Sequence, residues 1–195
     1  MLTLCIDTAY KYLTVCLIKD DEIIASYSEE CFKRQSENVF LALEEVFNKA
    51  NINKSDIDSI CISEGPGSYT GVRIGMTIAK TLCAIESKDL YTISTLRLYA
   101  SNNPNTMVLM NARADRAYVG IYNNEEIILE DSILAIDKID PKEYNVILDG
   151  SLINKEDTIV DIPSAFLKTK PYWKKIDNIN TLVPKYLKES EDYYR

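Results

Sequence analysis

Apolar positions in the first thirty residues come in three short runs: LTLCID (2–7), YLTVCLI (12–18) and EIIASYS (22–28). The first is a buried run, the second is rich in β-branched residues and the third alternates loosely, so the pattern predicts strands. Ala9-Tyr10-Lys11 and Lys19-Asp20-Asp21 supply the turns of a meander. From Ser36 the period becomes helical. Val39, Phe40, Ala42, Leu43, Val46, Phe47 and Ala50 fall on an arc of about 160° at 100° per residue. Glu37, Glu44 and Asn48 take the opposite side, with Ser36 as the expected N-cap and Asn51 near the stop. IDSICIS (57–63) then predicts a buried strand, Val72 to Ile85 a second helix and LYTIS (90–94) another strand. The order β-β-β-α-β-α-β argues for an α/β sheet with parallel pairs behind a hairpin meander.

Past Tyr99 the texture changes. SNNPN (101–105) is rich in turn formers and marks the expected boundary between an N-terminal lobe, 1–100, and a smaller C-terminal lobe, 101–195. TMVLMNAR, AYVGIYN and EIILEDS predict a second meander, and YNVILDGS a buried strand ending at Gly150. Residues 152–179 are weakly patterned, and TLVPKYLKESEDYY closes the chain as a short amphipathic segment expected to pack back on the first lobe.

The stretch EGPGSYTGVRIG (64–75) holds four of the six glycines, between a strand and a helix. It fits neither known phosphate loop. Gly67 and Gly71 lack the spacing and the lysine of GxxxxGK[ST], and Thr70 stands where GxGxxG needs its last glycine. Gly65, Gly67 and Gly71 allow backbone shapes that a Cβ resists, and Ser68 or Thr70 can cap the helix. Arg73 lies in that helix's first turn, where the macrodipole disfavours a cation, so it is expected to reach a carboxylate or an acidic partner. The helix itself is apolar over roughly 200°, twice what a surface helix needs. Ile74, Ile78, Leu82 and Ile85 form one stripe, suited to a sheet. Val72, Gly75, Met76, Ala79 and Cys83 form the other, and its small residues would let a partner helix approach closely.

Composition narrows the chemistry. With 195 residues, 46% hydrophobic and 27% charged, the chain is an ordinary globular protein, and no apolar run approaches a membrane span. The N-terminus does not read as a signal peptide, and five cysteines without a CxxC pair point to a reducing compartment, the cytoplasm. There is no histidine, which removes imidazole bases and imidazole metal ligands together. A net charge of −8 argues against a broad nucleic-acid footprint. One local exception is FLKTKPYWKK, where Lys168, Lys170, Lys174 and Lys175 interleave with Tyr172 and Trp173, a place to look for RNA or partner contact.

GPGSYTGVRIGMTIAKTLC closely resembles the glycine motif of the bacterial TsaB (YeaZ) family, the dimerisation subunits of the machinery that makes threonylcarbamoyladenosine in tRNA. The opening hairpin and SENVFLALEEVFNKANINKSDID resemble the same family, and MNARADRAYVGIY and LVPKYLK are similar to later segments of it. The resemblance implies an actin-like ATPase (ASKHA) fold of two related lobes, each a mixed sheet with helices. It implies a non-catalytic subunit that heterodimerises with TsaD, which holds ATP and metal and transfers the threonylcarbamoyl group, while the ATPase TsaE joins the assembly. A homodimer in isolation, and tRNA contact only through the complex, are the accompanying expectations. The interface would be built on the first two helices, from Val39, Leu43, Val46 and Phe47 and from Val72, Arg73, Gly75, Met76, Ala79 and Cys83. Large charged residues at Gly75 or Ala79 are then expected to abolish pairing and leave the monomer folded.

No cofactor site stands out; the candidates are Asp7 and Gly67. Ala9 places a Cβ where the first hairpin of an actin-like ATPase would admit phosphate, and Gln35-Ser36-Glu37 stand near where TsaD carries metal-binding histidines. Asn111 and Arg116 depart from the acids usual in the family's second segment, and the second lobe is short. The alternative reading is a nucleotide-binding phosphotransferase or weak ATPase, with Asp7 and Asp149 facing each other across a cleft.

Overall fold

The computed structural model describes residues 1–31 and 34–187; the end of the predicted closing segment, from 188, lies outside the described residues. The first meander is β1 (Leu2–Asp7), β2 (Tyr12–Lys19) and β3 (Glu22–Glu30), followed by α1 (Gln35–Ala50), β4 (Ser59–Ser63), α2 (Tyr69–Glu86), β5 (Asp89–Ile93) and α3 (Thr95–Ala100). The second part runs β6 (Thr106–Asn111), β7 (Arg116–Asn123), β8 (Glu126–Ala135), β9 (Asn145–Leu148), α4 (Ile162–Lys168) and β10 (Lys174–Lys175).

Two sheets result, in the orders β10-β5-β4-β1-β2-β3 and β8-β7-β6-β9. In the first, β1 pairs antiparallel with β2 and parallel with β4, which is parallel to β5. The second repeats the unit: β6 pairs antiparallel with β7 and parallel with β9. An antiparallel meander followed by a parallel strand on its inner edge, made twice, is the actin-like ATPase fold. The second unit is abbreviated, because a single 3-10 turn (Ile136–Lys138) stands between β8 and β9 where the first unit has α1.

Alternation along the strands divides the core. Leu4, Ile6, Leu13, Val15 and Leu17 pack with Val39, Val46, Met76 and Ala79 of α1 and α2. Cys5, Cys16 and Cys61 face the other way, into a cluster with Leu96 and Tyr99 of α3, Phe166 of α4, and Val108 and Met110 of β6. The two short helices therefore fill the space between the sheets. All six residues of α3 are buried, so TLRLYA has no polar face and no helical period to read.

Helix ends follow local chemistry with one exception. Asn51 ends α1 in the left-handed region at φ 52°, and the Ser68 side chain caps α2 by accepting from Gly71 N, so α2 begins at Tyr69, earlier than the apolar pattern alone predicts. Ser36 does not cap α1. The helix starts at Gln35, whose side-chain amide donates to the Tyr10 carbonyl at 2.7 Å and draws the helix start onto the first hairpin. Among the described residues no helix is long and apolar enough to cross a membrane.

Candidate protein-interaction site

The glycine loop closes on the chain's own first hairpin. Ser68 N donates to the Ala9 carbonyl at 2.7 Å. The Thr8 hydroxyl enters the first turns of α2, donating to Gly71 O at 2.6 Å and accepting from Gly75 N at 3.1 Å. A Cβ at Gly67 would lie 2.3 Å from Ala9 O, and one at Gly71 2.2 Å from Thr8 O. Gly65, at φ +105°, faces Lys185 O, which a Cβ would approach to 2.6 Å. The glycines thus serve backbone-to-backbone contact within the chain. Gly67, a cofactor candidate from sequence, lies against the Ala9 carbonyl.

Asp7 is fully buried. Its Oδ1 accepts from Ser63 Oγ and, at 3.1 Å, from Ala9 N; its Oδ2 accepts from Tyr99 OH at 2.7 Å. Burial pushes its pKa above the usual carboxylate range, against the pull of those bonds. Asp149, nearly buried, accepts from Tyr10 OH, from Lys11 Nζ at 2.5 Å and from Asn111 N at 2.8 Å. Burial alone would lower the Lys11 pKa, but the bond and charge of Asp149 outweigh it and hold the ammonium protonated to higher pH. The two carboxylates do not converge on an open site. Asp7 is engaged by Ala9, Ser63 and Tyr99, while Asp149 bolts the second sheet to the first hairpin. Among the described residues no group of three His, Cys, Asp or Glu is placed to hold a metal.

The faces of α2 are the reverse of the expectation. Gly71, Val72, Gly75, Met76, Ala79 and Cys83 are buried against the chain's own sheet. The cause is Thr8: its hydroxyl lies 2.8 Å from where a Gly75 Cβ would stand, so β1 approaches too closely for isoleucine on that side. Val39, Leu43 and Val46 of α1 are likewise buried in the sheet packing. Of the ten residues expected at the interface, eight are buried in the core, Val39, Leu43, Val46, Val72, Gly75, Met76, Ala79 and Cys83, and two, Phe47 and Arg73, are not. The outward side carries the isoleucine stripe instead. Ile74, Ile78 and Leu82 are half-buried, Ile85 is 72% exposed, and on α1 Phe40 is 67% and Leu41 64% exposed.

Between the two helices runs an apolar groove of about 520 Å³, lined by Phe40, Leu43, Phe47, Ile52, Ile78 and Leu82, with Glu44, Lys54, Thr77 and Thr81 among its polar edges. Large apolar side chains left open along two adjacent helices are the kind of surface feature found at interaction and ligand-binding sites. Leu43 is the one residue shared by the core and the groove floor.

The lysine strip is engaged by the chain itself. Lys170 bonds Asp20 O and Asp21, Lys175 pairs with Asp89 at 2.7 Å, and the Tyr172 ring covers Arg97 at 4.0 Å. Trp173 packs against Phe166 and Tyr91, and among the described residues the strip's Lys168 and Lys174 are exposed without such ties. All five cysteines are free thiols and buried. Solitary along the chain, Cys5, Cys16 and Cys61 stand side by side on three neighbouring strands.

The sequence profile of the family described as "TsaD: tRNA N6-adenosine threonylcarbamoyltransferase" matches residues 21–190. A "tRNA threonylcarbamoyladenosine biosynthesis protein TsaB" of Bacillus subtilis is 33% identical over 134 residues, 67% of this chain and 58% of that protein. The chain belongs to this family, on its TsaB (YeaZ) branch. The Buchnera aphidicola (Schizaphis graminum) TsaB is 27% identical over 190 residues, 92% of this chain and 82% of its own length. Less than two thirds of the Bacillus relative is therefore spanned. The fold agrees: a crystal structure described as an uncharacterized protein with similarity to peptidase YeaZ, from Pseudomonas aeruginosa, superposes with a TM-score of 0.83 at 15% identity, covering 96% of this chain and 99% of that one.

Proposed function

We propose that this chain is an accessory subunit of tRNA threonylcarbamoyladenosine biosynthesis, acting by heterodimerising with a TsaD-type subunit through the outer faces of α1 and α2. The observation that carries the reading is the open apolar groove between those helices, with Phe40 and Ile85 exposed beside it. Docking an equivalent helix pair there would give a four-helix contact, and burying one Phe and two or three aliphatic side chains is the scale of a binding hot spot. In this account ATP and metal are held by the TsaD-type subunit, a TsaE-type ATPase joins the pair, tRNA is reached through the complex, and a second copy can occupy the groove when TsaD is absent. The phosphotransferase alternative has less support, since the two carboxylates it would use, Asp7 and Asp149, are buried and already engaged by hydrogen bonds from the chain.

Reconstitution tests this. The chain, its organism's TsaD- and TsaE-type proteins, threonylcarbamoyl-adenylate and unmodified tRNA should yield modified tRNA, and leaving this chain out should remove the product. Equal product without it would overturn the proposal, and magnesium-ATP binding by the isolated chain in calorimetry would favour the alternative.

A further inference from the structure

Arg73 stands on the exposed side of α2 with Lys80, but the Lys80 ammonium is taken up by the Leu182 carbonyl at 3.1 Å, while Arg73 is held by aromatic neighbours. Its Nη1 donates to Tyr69 OH at 2.7 Å, and its Cζ lies 5.1 Å from the Tyr69 ring centre. Tyr69 and Tyr186 stack with centroids 5.3 Å apart and planes 21° apart. Tyr186 is itself anchored: the preceding residue, Lys185, donates its N–H to Glu64 O at 2.7 Å and pairs its ammonium with Asp131 at 2.7 Å. Among the described residues no carboxylate lies within ion-pair distance of Arg73, in a protein whose net charge is −8.

Position adds a second argument. Residues four apart on a helix lie one above the other on the same face. Arg73 therefore heads the row Thr77–Thr81, which lines the apolar groove. A guanidinium already held by the Tyr69 phenol, itself stacked on Tyr186, loses little freedom on forming a forked ion pair, and its planar donors match a carboxylate. We infer that Arg73, set by Tyr69 and Tyr186, is the specificity-determining cation of the docking face and pairs with a carboxylate on the partner's helix. The inference rests on the docking reading above and names the chemistry the partner must present at one end of the groove.

The test is the affinity of the full chain for its TsaD-type subunit, by calorimetry, at low and high salt. Arg73→Glu is expected to weaken pairing about 30-fold or more, the scale of a broken interfacial charge pair. Arg73→Lys should recover only part of that, and Arg73→Gln should flatten the salt dependence. Tyr69→Phe and Tyr186→Phe, which keep the rings, should weaken pairing by several-fold with the thermal midpoint unchanged. Pairing by Arg73→Glu within twofold of wild type overturns the inference, as does a defect seen only in tRNA binding by the complex, which would make the anion a phosphate. Phe40→Asp separates the two claims: if it abolishes pairing and Arg73→Glu does not, the groove stands and the carboxylate reader falls. Absence of pairing by the wild-type chain overturns both.

Discussion

Asp7 is the residue whose substitution best separates chemistry from architecture. Its two oxygens divide their work: Oδ1 takes Ser63 and Ala9, and Oδ2 takes Tyr99. An asparagine can reproduce this, its Oδ1 accepting both bonds and its amide donating to the Tyr99 oxygen. Alanine cannot, and it strands a backbone N–H and two hydroxyls in a fully buried place. At about 1–3 kcal/mol for each group left unsatisfied, with partial relief from hydroxyl rotation, Asp7→Ala should cost about 3–5 kcal/mol. In a domain of this size that is a fall of about 10 °C in thermal midpoint. Asp7→Asn should do the opposite. Because burial raises the folded-state pKa of Asp7 above 3.8, its protonated form stabilises the fold below that value, and the benefit is lost as pH rises through the folded pKa. Asparagine never ionises, so Asp7→Asn should match wild type at pH 3.5 and equal or exceed it at pH 7. Urea unfolding at the two pH values, with pairing and tRNA modification measured alongside, reads all of this. An Asp7→Asn protein that is stable and pairs normally but cannot support modification would refute the reasoning and return Asp7 to a catalytic role.

Gly75→Ala places a methyl 2.8 Å from Thr8 Oγ1 and should destabilise the monomer, while Thr8→Ala in the same chain makes room for it; a double-mutant cycle by thermal unfolding should show favourable coupling of about 1 kcal/mol or more. Additive losses would show that the Thr8 insertion does not set the distance between β1 and α2. Lys11→Met leaves Asp149 buried with one partner fewer and should cost about 1–3 kcal/mol. The wild-type advantage should be complete below the unfolded lysine pKa and vanish as pH rises through the raised folded value, so parallel unfolding curves at every pH would contradict the bolt.

How far the sequence reached depended on whether the deciding contact was local. The meander, the left-handed stop at Asn51 and the cap at Ser68 are written in adjacent residues, and all three appear in the structure. The strands of the second sheet were legible for the same reason. The short helix α3, buried on every side, and the seven-residue α4 leave no periodic trace, and the two-residue β10 is defined only by its pairing with Tyr91 and Thr92. The orientation of α2 failed for a different reason. An arc apolar over most of the helix does not say which stripe faces inward. What decides is Thr8, sixty-three residues before Gly71, whose hydroxyl reaches the helix backbone and admits only small residues there. With that contact known, Gly71, Gly75 and Ala79 become core, and Ile78 and Ile85 become surface. No local pattern carried that information.

The central claim is that the outer groove of α1 and α2 receives the partner. Phe40 is 67% exposed, so replacing it should leave the monomer's stability within about 0.5 kcal/mol. Covering that exposed part of a ring system of ~200 Å² is worth about 3 kcal/mol, on the order of 100-fold in affinity, before any cost of burying a charge. The direct measurement is the dissociation constant of the full chain with its TsaD-type subunit, for wild type and Phe40→Asp. The account predicts a stable wild-type pair and a Phe40→Asp protein that melts like wild type yet binds at least 100-fold more weakly. Equal affinity of the two proteins would contradict it.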